Sequence, residues 1–318
     1  MEKRKTVSVV VPCFNEEENV EALRDKIKEI FSTLNYHLEL LYIDNCSTDN
    51  TIAILKKMAA DDPTIKVIIN ARNFGTTRSH HYGVLQATGD AIITQAADFQ
   101  EPPELIPQLI AKWEEGNEVV MGIRKGSNDS AIMSFTRKLY YSIAARVSDV
   151  ELVKNFNGAS LFDRRVIDII RKFDDPYPYF RGMLAEVGMR QARVEFHQQA
   201  RRRGISKNNF FSLYDVAING ITSYSRAPLR IVTFIGFFLA AVSFLVAFGY
   251  LIFKLYAWES FQLGLAPIVI GLFFINGIIL TLLGVILEYI GSIHVRVMNR
   301  PLVVEMERIN FDENRTND

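Results

Sequence analysis

Three short polar segments place carboxylates and amides directly after apolar, β-branched runs. Pro12-Cys13-Phe14-Asn15-Glu16-Glu17-Glu18 closes VSVVVPCF (7–14), and Asp44-Asn45-Cys46-Ser47-Thr48-Asp49 closes LELLYID (38–44). A carboxylate at such a strand end can accept hydrogen bonds from a ribose or a base. Ser47 and Asp49 also suit the N-cap of a following helix, an account that fits them better than Asp44. Asp98, in QAADFQEPPE, ends a third run, DAIITQAAD (90–98). A carboxylate there can hold a divalent cation against a diphosphate and neutralise it as a leaving group. Pro102, Pro103 and Glu104 then open the next helix.

Other chemistries find less support. No GxGxxG follows the first run, which weighs against a dinucleotide dehydrogenase. The five histidines form no ligand set: His80 and His81 are adjacent and project from different faces of a helix, while His37, His197 and His294 stand alone. The two cysteines, Cys13 and Cys46, form no CxxC pair and read as reduced thiols of a cytosolic domain. With 36 basic and 36 acidic residues in 318, no global field draws the chain to nucleic acid. The opening MEKRKTVSVVVPCF has a basic start and a short apolar run, but NEEENV follows in place of a small-residue cleavage site. It reads as a buried strand.

The elements that must position these residues alternate. Strands are expected at 7–14, 38–44, 65–70, 90–98 and 117–123, with helices over 15–33, 49–60, 76–88 and 103–115 between them. Continuous apolar runs of this kind suit parallel strands covered on both faces. The expected class is therefore a doubly wound α/β sheet with ligands at its carboxyl ends. From 131 to 185 the pattern is mainly helical, and RQARVEFHQ (190–198) reads as one more strand.

Beyond about Pro228 the composition changes. Ile231–Phe253 and Gly264–Leu287 carry no charge, and each is about 35 Å long as a helix at roughly 1.5 Å per residue, enough to span hydrocarbon. Arg226 and Arg230 precede the first stretch and Arg296 and Arg300 follow the second, whereas the connecting KLYAWESFQL has one lysine. The positive-inside bias puts the N-terminal domain and both termini in the cytoplasm of a multi-pass inner (plasma) membrane protein. Trp258 fits an interfacial belt, and Asn208–Ser225 reads as an amphipathic helix, interfacial rather than core. Glu288, at the exit of the second span, could touch a lipid phosphate through a metal, but an interfacial position tolerates it without a function, which is the favoured account. Gly271, Gly277 and Gly284 could allow close helix packing, although no GxxxG is formed. The expected divisions are 1–207, a juxtamembrane segment 208–230, a two-helix membrane region 231–290 and a tail 291–318.

Taken in order, several motifs resemble those of the polyprenyl-phosphate glycosyltransferases of family 2, the group that includes dolichol-phosphate mannose synthases and bactoprenol glucosyltransferases. They are PCFNEEENV, IDNCSTDNT, Arg72-Asn73-Phe74-Gly75, Ala87-Thr88-Gly89-Asp90, DFQEPPE, Gly204-Ile205-Ser206-Lys207, Pro228-Leu229-Arg230 and LEYIG…NRP. The resemblance spans nearly the whole chain. It implies a GT-A type, Rossmann-like nucleotide-sugar-binding domain followed by two transmembrane helices. It implies a nucleotide pocket from Pro12, Asn15, Glu17 and Asp44, with Asp98 and Gln100 facing Mg²⁺ or Mn²⁺ and the diphosphate. Arg124, Arg137, Arg201, Ser206 and Lys207 resemble the family's basic cluster for the acceptor phosphate or the donor diphosphate. The implied partners are a nucleotide sugar, UDP-glucose foremost, a polyprenyl phosphate such as undecaprenyl phosphate, and the membrane. The two spans and the amphipathic helix also offer surfaces for self-association as a homo-oligomer.

Two departures matter. The family's Asp-x-Asp is interrupted by Ala96, leaving Asp98 alone, and Asn157-Gly158-Ala159-Ser160 stands where mannosyl relatives often carry an acidic residue. A phosphomonoester acceptor is already anionic near neutral pH, so it needs no general base, whereas a hydroxyl acceptor would. The expected reaction is inverting transfer of one sugar to a lipid phosphate. Two alternatives stand beside it. A processive polysaccharide synthase would carry QxxRW, but Arg202 replaces the tryptophan after Gln198–Arg201. A nucleotide-binding membrane scaffold would have lost its metal site at Ala96.

Overall fold

The computed structural model describes residues 4–125, 156–173, 175, 178, 180–197, 227–256, 265–298 and 300–311. Eight strands form one sheet: β1 (Thr6–Cys13), β2 (His37–Asp44), β3 (Ile65–Asn70), β4 (Ala91–Thr94), β5 (Val119–Arg124), β6 (Phe156–Asp163), β7 (Gln191–Phe196) and β8 (Glu305–Ile309). Their spatial order is β7-β5-β6-β4-β1-β2-β3-β8. β1 pairs in parallel with β2 and β4, and β2 with β3. β6 runs antiparallel to β4 and β5, and β8 antiparallel to β3.

Period-two alternation sorts the strand residues onto two faces. Val7, Val9, Val11, Leu40, Tyr42, Val67 and Ile69 join one apolar cluster. That face is covered by α1 (Val20–Ser32), α2 (Thr51–Asp61) and α4 (Ile106–Glu114). Val10, Leu41, Ile43, Ile68 and Ile92 join the other, beneath α3 (Thr76–Gln86), α5 (Arg164–Arg171) and α6 (Phe180–Val187). α1 shows why these segments become helices. Val20, Leu23, Ile27 and Phe31 fall on one stripe and are all buried. Full burial of Leu23 or Ile27 contributes about 1.5–3 kcal/mol each. The helix ends at Thr33, whose N–H turns back to Ile30 O (3.1 Å), followed by Leu34 N–H to Phe31 O (3.2 Å). Leu23→Ala would leave a cavity in this layer at a cost of about 2–5 kcal/mol.

Two sequence expectations are corrected. Phe156–Asp163, within the stretch read as helical, is a strand inserted between β4 and β5, so the sheet is mixed and not wholly parallel. The segment expected as a tail returns to the sheet as β8. Ala71 N–H donates to Val304 O (2.9 Å), and the Asn310 side chain donates to Ala59 O (2.7 Å) and Ile65 O (2.9 Å). As an edge strand β8 is charged, and Arg308 pairs with Glu305 (2.6 Å) and reaches Gln86 (2.9 Å).

Between β7 and β8 the chain forms two long helices, α7 (Ala227–Tyr256) and α8 (Leu265–Val297). Nearly all the exposed large apolar side chains belong to them, among them Phe234, Phe237, Phe238, Leu272, Phe274 and Leu280. Phe274–Gly291, with mean hydropathy 1.9 and none of it buried, is long and apolar enough to cross a membrane. A soluble core helix would be covered. The Thr281 hydroxyl donates to Gly277 O (2.9 Å), which satisfies it within its own helix. A Cβ placed on Gly271, Gly277 or Gly284 would meet no atom of another described element within 4 Å.

Candidate functional site

The chain runs β1 to β2 to β3 on one side of β1 and then crosses to β4 on the other. The strand order therefore reverses between β1 and β4, which is where an open α/β sheet is expected to receive a ligand, at the strands' carboxyl ends. Pro12 suits that place. Val10 O still accepts from Gln95 N (3.0 Å), but β4 itself has ended at Thr94. Pro12 faces the same side two residues on, where its missing N–H forfeits no ladder bond.

The loops after β1, β2 and β4 each contain a non-glycine residue with positive φ: Asn15 (58°), Cys46 (65°) and Phe99 (59°). Such a conformation costs of order 1–3 kcal/mol per residue and persists only where neighbours enforce it. Here they do. Asn15 N–H donates to Ser47 Oγ (2.9 Å) while its side-chain oxygen accepts from Thr48 N (2.8 Å). Phe99 is buried in the core cluster.

The predicted nucleotide-pocket residues meet in these loops, largely as braces. Pro12 is half-buried in β1. Asp44 is fully buried and accepts from both the Ser47 hydroxyl and Ser47 N (2.8 Å). Burial raises the Asp44 pKa, against the lowering effect of those bonds. Glu17 accepts from Asn50 N (2.9 Å) and from the Asn50 side chain (2.8 Å), tying the first loop to the second. Cys13 is a free, buried thiol whose pKa is pushed up by burial and then by Asp44, Glu16 and Asp49, so it stays protonated and inert. The RNFG motif joins a further loop: Asn73 Oδ1 accepts from the Asn45 side chain (2.9 Å) and from Gly75 N (2.9 Å).

Asp98 lies at the β4 end, 6% exposed, with Oδ1 accepting from Gln100 N (3.2 Å). Arg124 ends β5, which points the same way as β4 because both oppose β6. Asp98, Gln100 and Arg124 thus share the carboxyl side of the sheet with Asn15, Glu17 and Asp44. Arg137, Arg201, Ser206 and Lys207 lie outside the described residues, as does the amphipathic segment 208–225.

Sequence reasoning missed Glu101 and Gln95. The Glu101 carboxylate sits over the backbone N–H of Ala96 (3.4 Å), at the very residue that lacks an acidic side chain, and also takes the N–H of Ala159 in β6. Burial, opposed by those two bonds and reinforced by the nearby charge of Asp98, pushes its pKa up to about 7. Gln95 is buried and donates to Glu101 O (2.8 Å), while its Oε1 has no partner. The signal for Glu101 was its place in DFQEPPE, three residues after Asp98.

A divalent cation fits this donor set. Asp98, Glu101, Gln100 and the orphaned Gln95 Oε1 are oxygen donors, the kind a hard cation takes. Among the described residues no group of three or more acidic, histidine or cysteine side chains is gathered. Two carboxylates match a Mg²⁺-like ion that keeps waters and substrate phosphate oxygens as its remaining ligands.

The profile of glycosyl transferase family 2 matches residues 8–170, and the chain belongs to that family, as a glycosyltransferase with the GT-A, Rossmann-like α/β fold. It is 33% identical over 296 residues to a bactoprenol glucosyl transferase of Shigella phage SfII, covering 93% of this chain and 96% of that one. The prophage bactoprenol glucosyl transferase homolog of Escherichia coli K12 is 32% identical, with the same coverages. An uncharacterized glycosyltransferase of Bacillus subtilis, YkcC, is 32% identical over 99% of this chain and 98% of its own. Among solved structures, glucosyl-3-phosphoglycerate synthase of Mycobacterium tuberculosis with Mg²⁺ and UDP aligns at a TM-score of 0.49 and 18% identity, covering 69% of this chain and 77% of that one.

Proposed function

We propose that the protein transfers a single glucose from UDP-glucose to a polyprenyl phosphate at the cytoplasmic surface of a membrane crossed by both α7 and α8. The observation that carries this reading is architectural. The chain leaves a family 2 sheet, runs through two long helices with uncovered apolar faces, and returns to the same sheet as β8. Similarity to the bactoprenol glucosyl transferases over nearly the full length supports the glucosyl donor and the lipid acceptor.

The chemistry follows from the loops at the β1/β4 reversal. The β1 and β2 loops receive the nucleotide, and the β4 loop meets its diphosphate. A phosphate oxygen of the acceptor attacks the anomeric carbon from the face opposite the diphosphate. The C–O bond to the diphosphate breaks, and UDP departs with that electron pair. A divalent ion held by Asp98, Glu101 and Gln100 would supply charge neutralisation of the departing diphosphate. Arg124 offers further positive charge on the same side. The acceptor is already anionic, so no residue has to remove a proton from it.

The test is the full chain in detergent or vesicles with labelled UDP-glucose, Mg²⁺ or Mn²⁺, and undecaprenyl phosphate. A single lipid-soluble product bearing one glucose is expected. A polymer would instead establish a processive synthase. Binding of donor without turnover, across UDP- and GDP-sugars, would establish a scaffold.

A further inference from the structure

A second feature lies away from those loops, where the chain returns from α8. Arg300 is the third residue beyond the end of that helix at Val297. The strap that follows is pinned to α3 and β3: Arg78 donates to Pro301 O (2.7 Å) and Ala71 N–H to Val304 O (2.9 Å). Between the strap, α3 and the end of α5 lies a cavity of about 390 Å³. Leu85, Ile170 and Val303 supply apolar lining, and two guanidiniums, Arg171 and Arg300, stand at it with one carboxylate, Asp175.

The polar groups are unevenly used. Arg171 donates to Leu85 O (2.7 Å) and lies 3.7 Å from Asp168. Arg300 is exposed and forms no ion pair with any other described residue. His81, only 2% exposed, lines the same cavity, and its Nδ1 is buried without a partner. Burial holds the His81 pKa down at about 4, so the ring is neutral and has a nitrogen able to donate to an anion's oxygen. Apolar lining, net positive charge and an unanswered buried nitrogen, just past a helix fit to cross a membrane, match one class of ligand.

We propose that this cavity seats a phosphate group, that of an anionic phospholipid, with Arg300 and Arg171 on the phosphate and His81 bonding one of its oxygens. Guanidinium is well suited to phosphate through its paired donors. The short distance along the chain from α8 puts Arg300 at headgroup depth, which favours a lipid over a soluble source. None of the residues that line the cavity belongs to the loops at the β1/β4 reversal, so the seat is separate from the transfer site. It rests on the reading that α8 is embedded in membrane.

The test uses the full chain in detergent. Native mass spectrometry would count retained phosphatidylglycerol against phosphatidylcholine, and inorganic phosphate would serve as a soluble competitor. Preferential retention of phosphatidylglycerol is expected, weakened about tenfold by Arg300→Gln, the loss typical of one charge-assisted hydrogen bond. Lys125→Gln, which removes an exposed charge paired with Glu195 on another edge of the sheet, should leave it unchanged. Equal weakening in both variants would overturn the proposal, because the attraction would then be general. Equal retention of the two lipids, with no Arg300-dependent displacement by phosphate, would also overturn it. Displacement by millimolar phosphate that Arg300→Gln abolishes would support the seat and identify a soluble occupant. A chain that fails to enter vesicles of either lipid would overturn the membrane reading instead, a distinguishable result.

Discussion

The two ends of the sheet are built on opposite plans. At the amino end, Glu39 is buried and its carboxylate is fully engaged. It accepts from Lys66 (2.6 Å), Thr88 N (2.7 Å), the Thr88 hydroxyl (2.6 Å) and the Ser8 hydroxyl. Gly89 N–H donates to Ser8 Oγ (2.8 Å), Thr6 N–H donates to Asp90 (2.8 Å), and Arg164 caps the Gly89 and Ala87 carbonyls. Gly89 has no room for a Cβ, which would stand 2.8 Å from Ser8 N and Thr6 O. The ATGD motif is therefore a lock. At the carboxyl end, three non-glycine residues hold positive φ, and Gln95 Oε1 and Asn70 Oδ1 lie buried without partners. Satisfied groups rigidify a structure, whereas strain and unanswered polarity collect where a ligand is to be received. One end holds the sheet together; at the other, loops braced by Asn15, Glu17 and Asp44 leave Gln95 Oε1 and Asn70 Oδ1 unanswered.

The comparison is broken most directly by separating activity from stability. Asp98→Asn keeps the side chain's shape and its bond from Gln100 but removes the charge. Transfer should fall at least about a hundredfold, the scale of losing one transition-state electrostatic contact. Thermal unfolding should barely move. Retained activity in a reconstituted assay would remove Asp98 from the site.

Glu39→Gln should do the reverse. It leaves Lys66 without its carboxylate in a largely buried setting and should cost about 3 kcal/mol of stability, read by denaturant or heat, with kcat preserved. Its pH signature has a definite sign. Burial alone would raise the Glu39 pKa, but the bonds from Lys66, Ser8 and Thr88 outweigh burial and hold it below 4.5. The stabilisation is thus complete above about pH 4.5 and is lost as pH falls through the lower folded value. The variant should lack that acid limb. A wild-type-like acid limb in Glu39→Gln would assign it to another group.

Glu101 probes whether the carboxyl end compensates for Ala96. Glu101→Gln should weaken Mn²⁺ binding about tenfold, measured by electron paramagnetic resonance without substrate turnover. Ala96→Asp in that background should restore it. If Glu101→Gln binds Mn²⁺ as the wild type does, the second carboxylate plays no part.

Much of this was legible in the sequence, and the exceptions share a cause. β1, β2 and β3 were readable because a strand buried on both faces must be continuously apolar. β6 was not: FNGASLFD carries Asn157 and Gly158, both poor strand formers, directly after Phe156, and it is held in place by neighbours distant in sequence. EMERI looked like a polar tail because an edge strand carries charges for good reason. The places of Asp98 at a strand end and of Asn15 and Glu17 in the loop after β1 were also legible. That Asp44 turns inward to Ser47, and that Glu101 folds back over Ala96, depends on a left-handed turn at Cys46 and another at Phe99. No spacing rule encodes either.

A matched pair of small changes tests the contrast at its finest grain. Ser8 and Asn73 each link two segments through a side-chain oxygen that accepts a backbone N–H, that of Gly89 and that of Gly75 respectively. Ser8 is fully buried, so Ser8→Ala would strand Gly89 N–H and shorten the partner list of Glu39 with no water to replace them, costing about 1–3 kcal/mol. Asn73 is exposed, and water can take over the bonds from Asn45 and Gly75. Asn73→Ala should therefore cost about 1 kcal/mol or less. Its larger consequence should be functional. Asn45 and Asn73 join the β2 and β3 loops, so loosening that link should raise KM for the nucleotide sugar while kcat stays within about twofold. If Asn73→Ala destabilises the protein as much as Ser8→Ala and leaves KM alone, the carboxyl-end loops are part of the lock and the two ends do not differ in kind.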